Sequence, residues 1–224
     1  MATYVLVHGA WGGSYYFATL ADALRQTGHR VFTPSLTGLG ERAHLAHGGI
    51  TLTDHINDVL GVIDCEPLFD IILVGHSYGG MVVTGVSALR GSKIRTLVYL
   101  DAFLPEHGQS LWDLVDDTAR NAYIDGQRET PGLSKPFFSI GEHQMTGHPL
   151  LTLLEPVKLG GDEHQIRNRS YVYATKGAPT PFTMFRERIG DSPAWKVHEL
   201  ETGHMMWDDD FNGILSILLS EAGL

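Results

Sequence analysis

Asp70-Ile71-Ile72-Leu73-Val74-Gly75-His76-Ser77-Tyr78-Gly79-Gly80 is the stretch that decides how this chain is read. Ile71 to Val74 are apolar throughout, as a strand of a parallel sheet covered on both faces must be, and 70–75 reads as that strand. Gly75-His76-Ser77-Tyr78-Gly79 then fits the pattern G-x-S-x-G, with a helix expected from about Gly80. Such a serine sits on a strained strand-to-helix turn, so the residues flanking it must be small. The turn lifts the hydroxyl out of the sheet, and the N-terminus of the following helix favours negative charge there. Five residues alone are only moderately specific. The strand before them and the helix after them make Ser77 a candidate nucleophile rather than a bystander in a glycine turn.

Outward from this turn, short β-branched runs alternate with amphipathic stretches. That is the pattern of an α/β domain with a mainly parallel sheet and helices on both faces. Strands are expected at 3–8, 30–34, 70–75, 94–101, 170–175 and 195–200. Phe17, Leu20 and Leu24 recur at helical spacing, with Gly28 placed as a C-terminal cap. Thr53 is expected to cap a helix running towards Cys65, with Pro67 just beyond its end. Phe211, Ile214, Leu215 and Leu218 mark a last helix. The region of about 105–168 breaks the alternation with Pro105, Pro131, Pro136, Pro149 and Pro156, and reads as a lid inserted in a single domain spanning 1–224.

The bulk properties narrow the function. The chain has 224 residues, 43% hydrophobic and 19% charged, the composition of an ordinary globular domain. A formal net charge of −10 with no local cluster of Lys and Arg argues against a nucleic-acid partner. The lone cysteine, Cys65, excludes an internal disulfide and a cysteine-based zinc site, and is expected to be a small buried hydrophobe. No apolar run approaches a membrane span, and no secretory leader precedes the strand at Thr3, so a cytoplasmic protein is expected. Gly38-Leu39-Gly40 lacks the full dinucleotide fingerprint and no metal-binding histidine spacing occurs, so no cofactor or metal is expected.

A serine hydroxyl needs a base. Of twelve histidines, His44, His47, His107, His143, His148 and His164 lie in polar loop or lid stretches and are expected to be solvated. His204, in Glu201-Thr202-Gly203-His204 between the last strand and the last helix, stands where the chain order Ser, acid, His requires the base. The oxyanion donors are expected from the backbone N–H groups of Tyr78 and of Ala10, in the glycine-rich loop His8-Gly9-Ala10-Trp11-Gly12-Gly13. The acid that should orient His204 is harder to place, because the usual loop reads Thr175-Lys176-Gly177-Ala178-Pro179-Thr180 and holds no carboxylate. Asp101, at the end of strand 94–101, is the substitute. Glu201, Asp191 or a dyad without an acid remain alternatives. Gly9, Trp11, Phe103, Met205 and Trp207 are expected to line an apolar substrate pocket.

Taken together, Val5-Leu6-Val7-His8-Gly9-Ala10-Trp11, Leu36-Thr37-Gly38-Leu39-Gly40-Glu41-Arg42, Val74-Gly75-His76-Ser77-Tyr78-Gly79-Gly80, Leu97-Val98-Tyr99-Leu100-Asp101-Ala102-Phe103 and Thr202-Gly203-His204 resemble the α/β-hydrolases. The branch is that of the plant methylesterases, the hydroxynitrile lyases and their bacterial esterase relatives. The resemblance implies Ser77 as nucleophile, His204 as base, and Ala10 and Tyr78 as oxyanion donors. It departs from the plant members at Gly177, where they place the acid. The lyases of that branch carry threonine and lysine where this chain has Gly9 and Met205, and only a lysine supplies the charge a departing cyanide needs. The expected activity is therefore hydrolysis of a small, largely apolar carboxylic ester, rising with pH as the base (reference pKa about 6.5) loses its proton. A lyase, a biosynthetic cyclase or dehydratase, or a small-molecule-binding homologue would use the same constellation. An inert Ser77→Ala variant of a parent that turns over no ester points to the other enzymes, and tight ligand binding that survives Ser77→Ala with no product formed points to the binding homologue.

Overall fold

The computed structural model describes residues 1–138 and 144–223. All six expected strands form one sheet: β1 (Thr3–Val7), β2 (Arg30–Phe32), β3 (Ile71–His76), β4 (Ile94–Leu100), β7 (Asn168–Ala174) and β8 (Lys196–Leu200). Their spatial order is β2-β1-β3-β4-β7-β8, and every pairing is parallel. Strand ends shift from expectation by one or two residues, and two of the shortened ends have a local cause. β2 stops at Phe32 because Pro34 cannot donate to a ladder. β4 stops at Leu100 because Asp101 has φ +40, outside the strand region.

Alternation along the strands divides the core. Val5, Val7, Ile71, Leu73, Leu97 and Tyr99 face one layer, where α2 (Leu52–Cys65) and α3 (Gly79–Arg90) cover the sheet. Tyr4, Leu6, Ile72, Val74, Val98 and Leu100 face the other, under α1 (Ala18–Gln26) and α8 (Phe211–Glu221). Every residue of β3 is buried, which follows from its place between β1 and β4 with a helix layer on each face.

α2 ends at Cys65 as expected but departs from expectation in its N-cap and in the exposure of Cys65. Thr51, not Thr53, is its N-cap, in a box with Asp54, whose carboxylate accepts from the Thr51 N–H at 2.8 Å. Thr53 lies one residue inside the helix and donates instead to Glu155, N–H and hydroxyl each at 2.7 Å. Cys65 is exposed rather than buried: the apolar stripe of α2 runs through Leu52, Ile56, Val59 and Ile63, and position 65 falls off it.

The region of 105–168 adds no strand to the main sheet before Asn168 among the described residues. It holds α4 (Asp117–Asp125), the short α5 (Leu151–Leu154), and two strands the sequence pattern did not reveal. β5 (Leu133–Ser134) and β6 (His148–Pro149) pair antiparallel, Ser134 opposite His148. Two residues are too few for a period-2 signal. α6 (Thr183–Ile189) and α7 (Met206–Asp209) complete the elements. No helix among the described residues is long and apolar enough to cross a membrane.

Candidate active site

The strand order reverses between β1 and β3: the chain moves outwards from β1 to β2, then returns to β3 and runs the other way. Open parallel sheets leave a crevice at such a switch point, beyond the carboxyl ends of the strands. Val7, Gly75 and Tyr99 are in register across β1, β3 and β4, so the loops after these strands open onto one edge. Ala10, Ser77 with Tyr78, and Asp101 follow there, joined by the loops after β7 and β8.

Ser77 has φ +54, the left-handed conformation expected of the turn. Gly79 is required by close approach, since a Cβ there would lie 2.4 Å from the Val7 carbonyl oxygen. Trp11 (φ +61) and Asp101 (φ +40) share this unusual backbone, so three non-glycine residues in left-handed conformation converge on one crevice.

Asp101 is 1% exposed. Its Oδ2 accepts from His204 Nδ1 at 2.7 Å and its Oδ1 from the Ala174 N–H at 3.2 Å, while its own N–H donates to the Val172 carbonyl. Because the carboxylate can only accept, His204 carries its proton on Nδ1, leaving Nε2 with a lone pair. The His204 ring stacks on Phe182, centroids 4.9 Å apart and 7° from parallel, and the His204 carbonyl accepts from His76 Nε2 at 3.0 Å. Gly177 lies in an exposed turn, and Glu201 and Asp191 are exposed. Of the carboxylates weighed for this place, Asp101 is the one hydrogen-bonded to His204.

A pocket of about 560 Å³ opens over these groups. Ala10, Ser77, Tyr78, Asp101 and His204 border it, with Trp11, Phe103 and Met205 in the wall. Gly9 and Trp207 are not among the described residues that line it. A Cβ on Gly9 would meet Ser77 Cβ at 2.9 Å, so Gly9 packs behind the serine. Trp207 stands further back, its ring 4.9 Å from both His76 and Phe17. The sequence reading missed Tyr123, Phe137, Phe182, Lys176 and Asp208, which also line the pocket. Phe182 follows the β7 loop and could have been found there. Tyr123 and Phe137 lie in the aperiodic 105–168 stretch, where no pattern marked them.

Four further histidines are buried around the pocket. Burial pushes His8 and His55 down to about 4, and holds His76 and His148 well below the ordinary histidine range, so all four are neutral. His8 donates from Nδ1 to the Gly9 carbonyl at 2.8 Å, and its Nε2 accepts from the Leu36 N–H at 3.1 Å. His55 donates from Nε2 to the Thr37 carbonyl and accepts the Tyr78 hydroxyl on Nδ1 at 2.8 Å. His148 was expected in solvent and is fully buried, because β6 tucks its ring against Trp11, Tyr78 and His55. His143 lies outside the described residues. Among the described residues no cluster of three or more His, Cys, Asp or Glu could hold a metal ion.

Residues 4–218 match the model of the alpha/beta hydrolase family. The chain is 42% identical over 224 aligned residues to the carbendazim hydrolyzing esterase of Nocardioides sp. (strain SG-4G), covering 91% of this chain and 93% of that one. It is 27% identical over 235 aligned residues to polyneuridine aldehyde esterase of Rauvolfia serpentina, covering 90% and 88%. An extracellular alpha/beta-hydrolase from a Paenibacillus species has the same fold, with a TM-score of 0.81 at 24% identity over 99% of both chains. The parallel sheet with Ser77 at its switch point, together with these relatives, shows that the chain belongs to the alpha/beta hydrolase family, as a carboxylic ester hydrolase.

Proposed function

We propose that this esterase works through Ser77 as nucleophile, His204 as general base and Asp101 as the acid that orients it. The observation that carries the reading is the 2.7 Å bond from His204 Nδ1 to the buried Asp101, at the edge of the pocket that Ser77 enters. Ser77 Oγ attacks the ester carbonyl while its proton passes to His204 Nε2. The tetrahedral oxyanion is held by the backbone N–H groups of Ala10 and Tyr78. The intermediate collapses, the C–O bond to the alcohol breaks, and His204 returns the proton to the leaving oxygen. Water, deprotonated by the same imidazole, then releases the acid from Ser77.

The substrate is a small, largely apolar ester. Trp11, Phe103, Tyr123, Phe137 and Phe182 supply flat apolar walls, and the volume suits a small molecule. In this reading 105–168 is a lid inserted in a single domain, since Leu111, Val115, Ala119, Tyr123 and Phe137 reach the pocket from it. A cytoplasmic setting belongs to the same reading, supported by the exposed, unpaired Cys65, which a reducing compartment keeps as a thiol.

A fluorophosphonate probe with peptide mapping tests it. Stoichiometric labelling at Ser77, lost in Ser77→Ala together with hydrolysis of 4-nitrophenyl acetate, is the expected result. Labelling elsewhere, or hydrolysis that persists in Ser77→Ala, would remove Ser77 from the mechanism.

A further inference from the structure

Trp11 is the most heavily tethered residue of the loop after β1, and its tethers come from the inserted region. Its backbone N–H donates to His148 Nδ1 at 3.3 Å, and its indole Nε1 donates to the Ser134 carbonyl at 2.8 Å. Its carbonyl accepts from the Thr146 N–H at 2.9 Å. Ser134 and His148 face each other across the β5–β6 pair, so one two-stranded clip holds both N–H groups of Trp11. A tryptophan at φ +61 persists only where its surroundings over-determine it.

We propose that His148 is a positioning residue for the oxyanion hole: the β5–β6 clip holds Trp11 in its left-handed conformation and thereby sets the orientation of the adjoining Ala10 amide. The proposal rests on the reading of Ala10 as an oxyanion donor. It makes the inserted region part of the catalytic geometry and not only a wall of the pocket.

The chemistry at His148 is directional. Trp11 N–H can only donate, so Nδ1 of the neutral ring accepts and the proton sits on Nε2. Nε2–H donates to Thr152 Oγ1 at 2.7 Å, and the Thr152 hydroxyl donates onward to the Pro149 carbonyl at 2.7 Å. Thr152 thus selects the tautomer that Trp11 needs. Burial beside His55 and His8 keeps the ring uncharged, and a proton on Nδ1 would face the Trp11 N–H directly. Thr152 is itself fully buried and is not among the pocket-lining residues; it also hydrogen-bonds the Tyr78 side chain, so its variant is read beside those at His148.

The test compares His148→Phe, His148→Asn and Thr152→Val on 4-nitrophenyl acetate, with folding checked by near-ultraviolet circular dichroism. Loss of a whole oxyanion donor costs about 10²–10³ in kcat, so a donor left misaligned in His148→Phe should lower kcat about 30-fold or more. KM should stay within about twofold, because the interaction strengthens only in the transition state. His148→Asn, whose Oδ1 can accept in place of Nδ1, should recover most of the rate. Thr152→Val is nearly isosteric and frees the tautomer, so it should lower kcat about tenfold and weaken an aryl trifluoromethyl ketone, which forms a tetrahedral adduct, in proportion. Folded variants with parental kcat and parental ketone affinity would overturn the proposal, and Thr152→Val decides beside His148→Asn should His148→Phe fail to fold. A parent enzyme that neither labels at Ser77 nor hydrolyses the ester would instead bring down the esterase mechanism on which this rests.

Discussion

Replacing Asp101 with asparagine keeps the volume and removes the charge. His204 becomes an imidazolium in the transition state, and its Nδ1 lies 2.7 Å from Asp101 Oδ2. At about 4 Å between charge centres and an effective dielectric near 20, the attraction is about 4 kcal/mol. Losing it lowers kcat by about 10³, at 1.36 kcal/mol for each tenfold. A second effect adds to this. Asp101 accepts two hydrogen bonds, from His204 and from the Ala174 N–H, and an asparagine offers one acceptor oxygen. One buried N–H loses its partner at about 1–3 kcal/mol, or His204 turns to the wrong tautomer with Nε2 protonated. The expected fall in kcat is therefore about 10⁴–10⁵, with KM nearly unchanged and the fluorophosphonate rate at Ser77 falling in parallel. Steady-state kinetics on 4-nitrophenyl acetate, with circular dichroism as the folding control, measures it. A folded Asp101→Asn enzyme within about tenfold of the parent would refute the electrostatic argument and leave a Ser–His dyad.

Three further outcomes follow from the packing. His8 and His55 are held down to about 4 by burial against an ordinary value of 6.5, and His76 and His148 lie well below it. The unfolded chain then binds more protons than the folded one between pH 6.5 and 4, so stability is full above 6.5 and is lost as pH falls towards 4. Urea midpoints at pH 7.5 and 5.0 should differ by several kcal/mol in unfolding free energy, and equal midpoints would contradict neutral burial. Gly79→Ala places a Cβ 2.4 Å from the Val7 carbonyl oxygen. Neither backbone can yield easily, so a loss of about 1–3 kcal/mol and a melting point lower by several degrees are expected from thermal melts. Cys65 is exposed at the end of α2, so native protein should react with one equivalent of a thiol reagent and keep its esterase rate. Slow labelling, or inhibition on labelling, would show that the helix end is covered or coupled to the site.

How much of this was legible before the structure depends on the range of the interaction. The six strands and the turn at Ser77 are local matters: apolar runs, small residues around one serine, a glycine after a helix. Periodicity and turn chemistry report such features directly, and the errors were at ends, where Pro34 and the left-handed Asp101 cut strands short. His204 could be named as a candidate because the fold's chain order gives the base a place after the last strand. Its partner Asp101, 103 residues away in sequence, could be named only beside Glu201, Asp191 and an acid-free dyad, because the hydrogen bond exists only once β4, β7 and β8 lie side by side.

The histidines show the same division most sharply. His148 sits among prolines and polar residues, and composition places it in solvent. The β5–β6 pairing buries it against Trp11 and Tyr78 instead. Cys65 errs in the opposite direction: its residue type suggests burial, and its position on α2 turns it outwards. The sequence carried the strands, their mainly parallel pattern and the strained serine turn, because backbone geometry and the hydrophobic period are set over a few neighbouring residues. Tertiary structure alone decided which carboxylate meets His204, which aromatic rings wall the pocket and which histidines are stripped of water. Those outcomes depend on packing between segments far apart in the chain, and no local pattern carries that information.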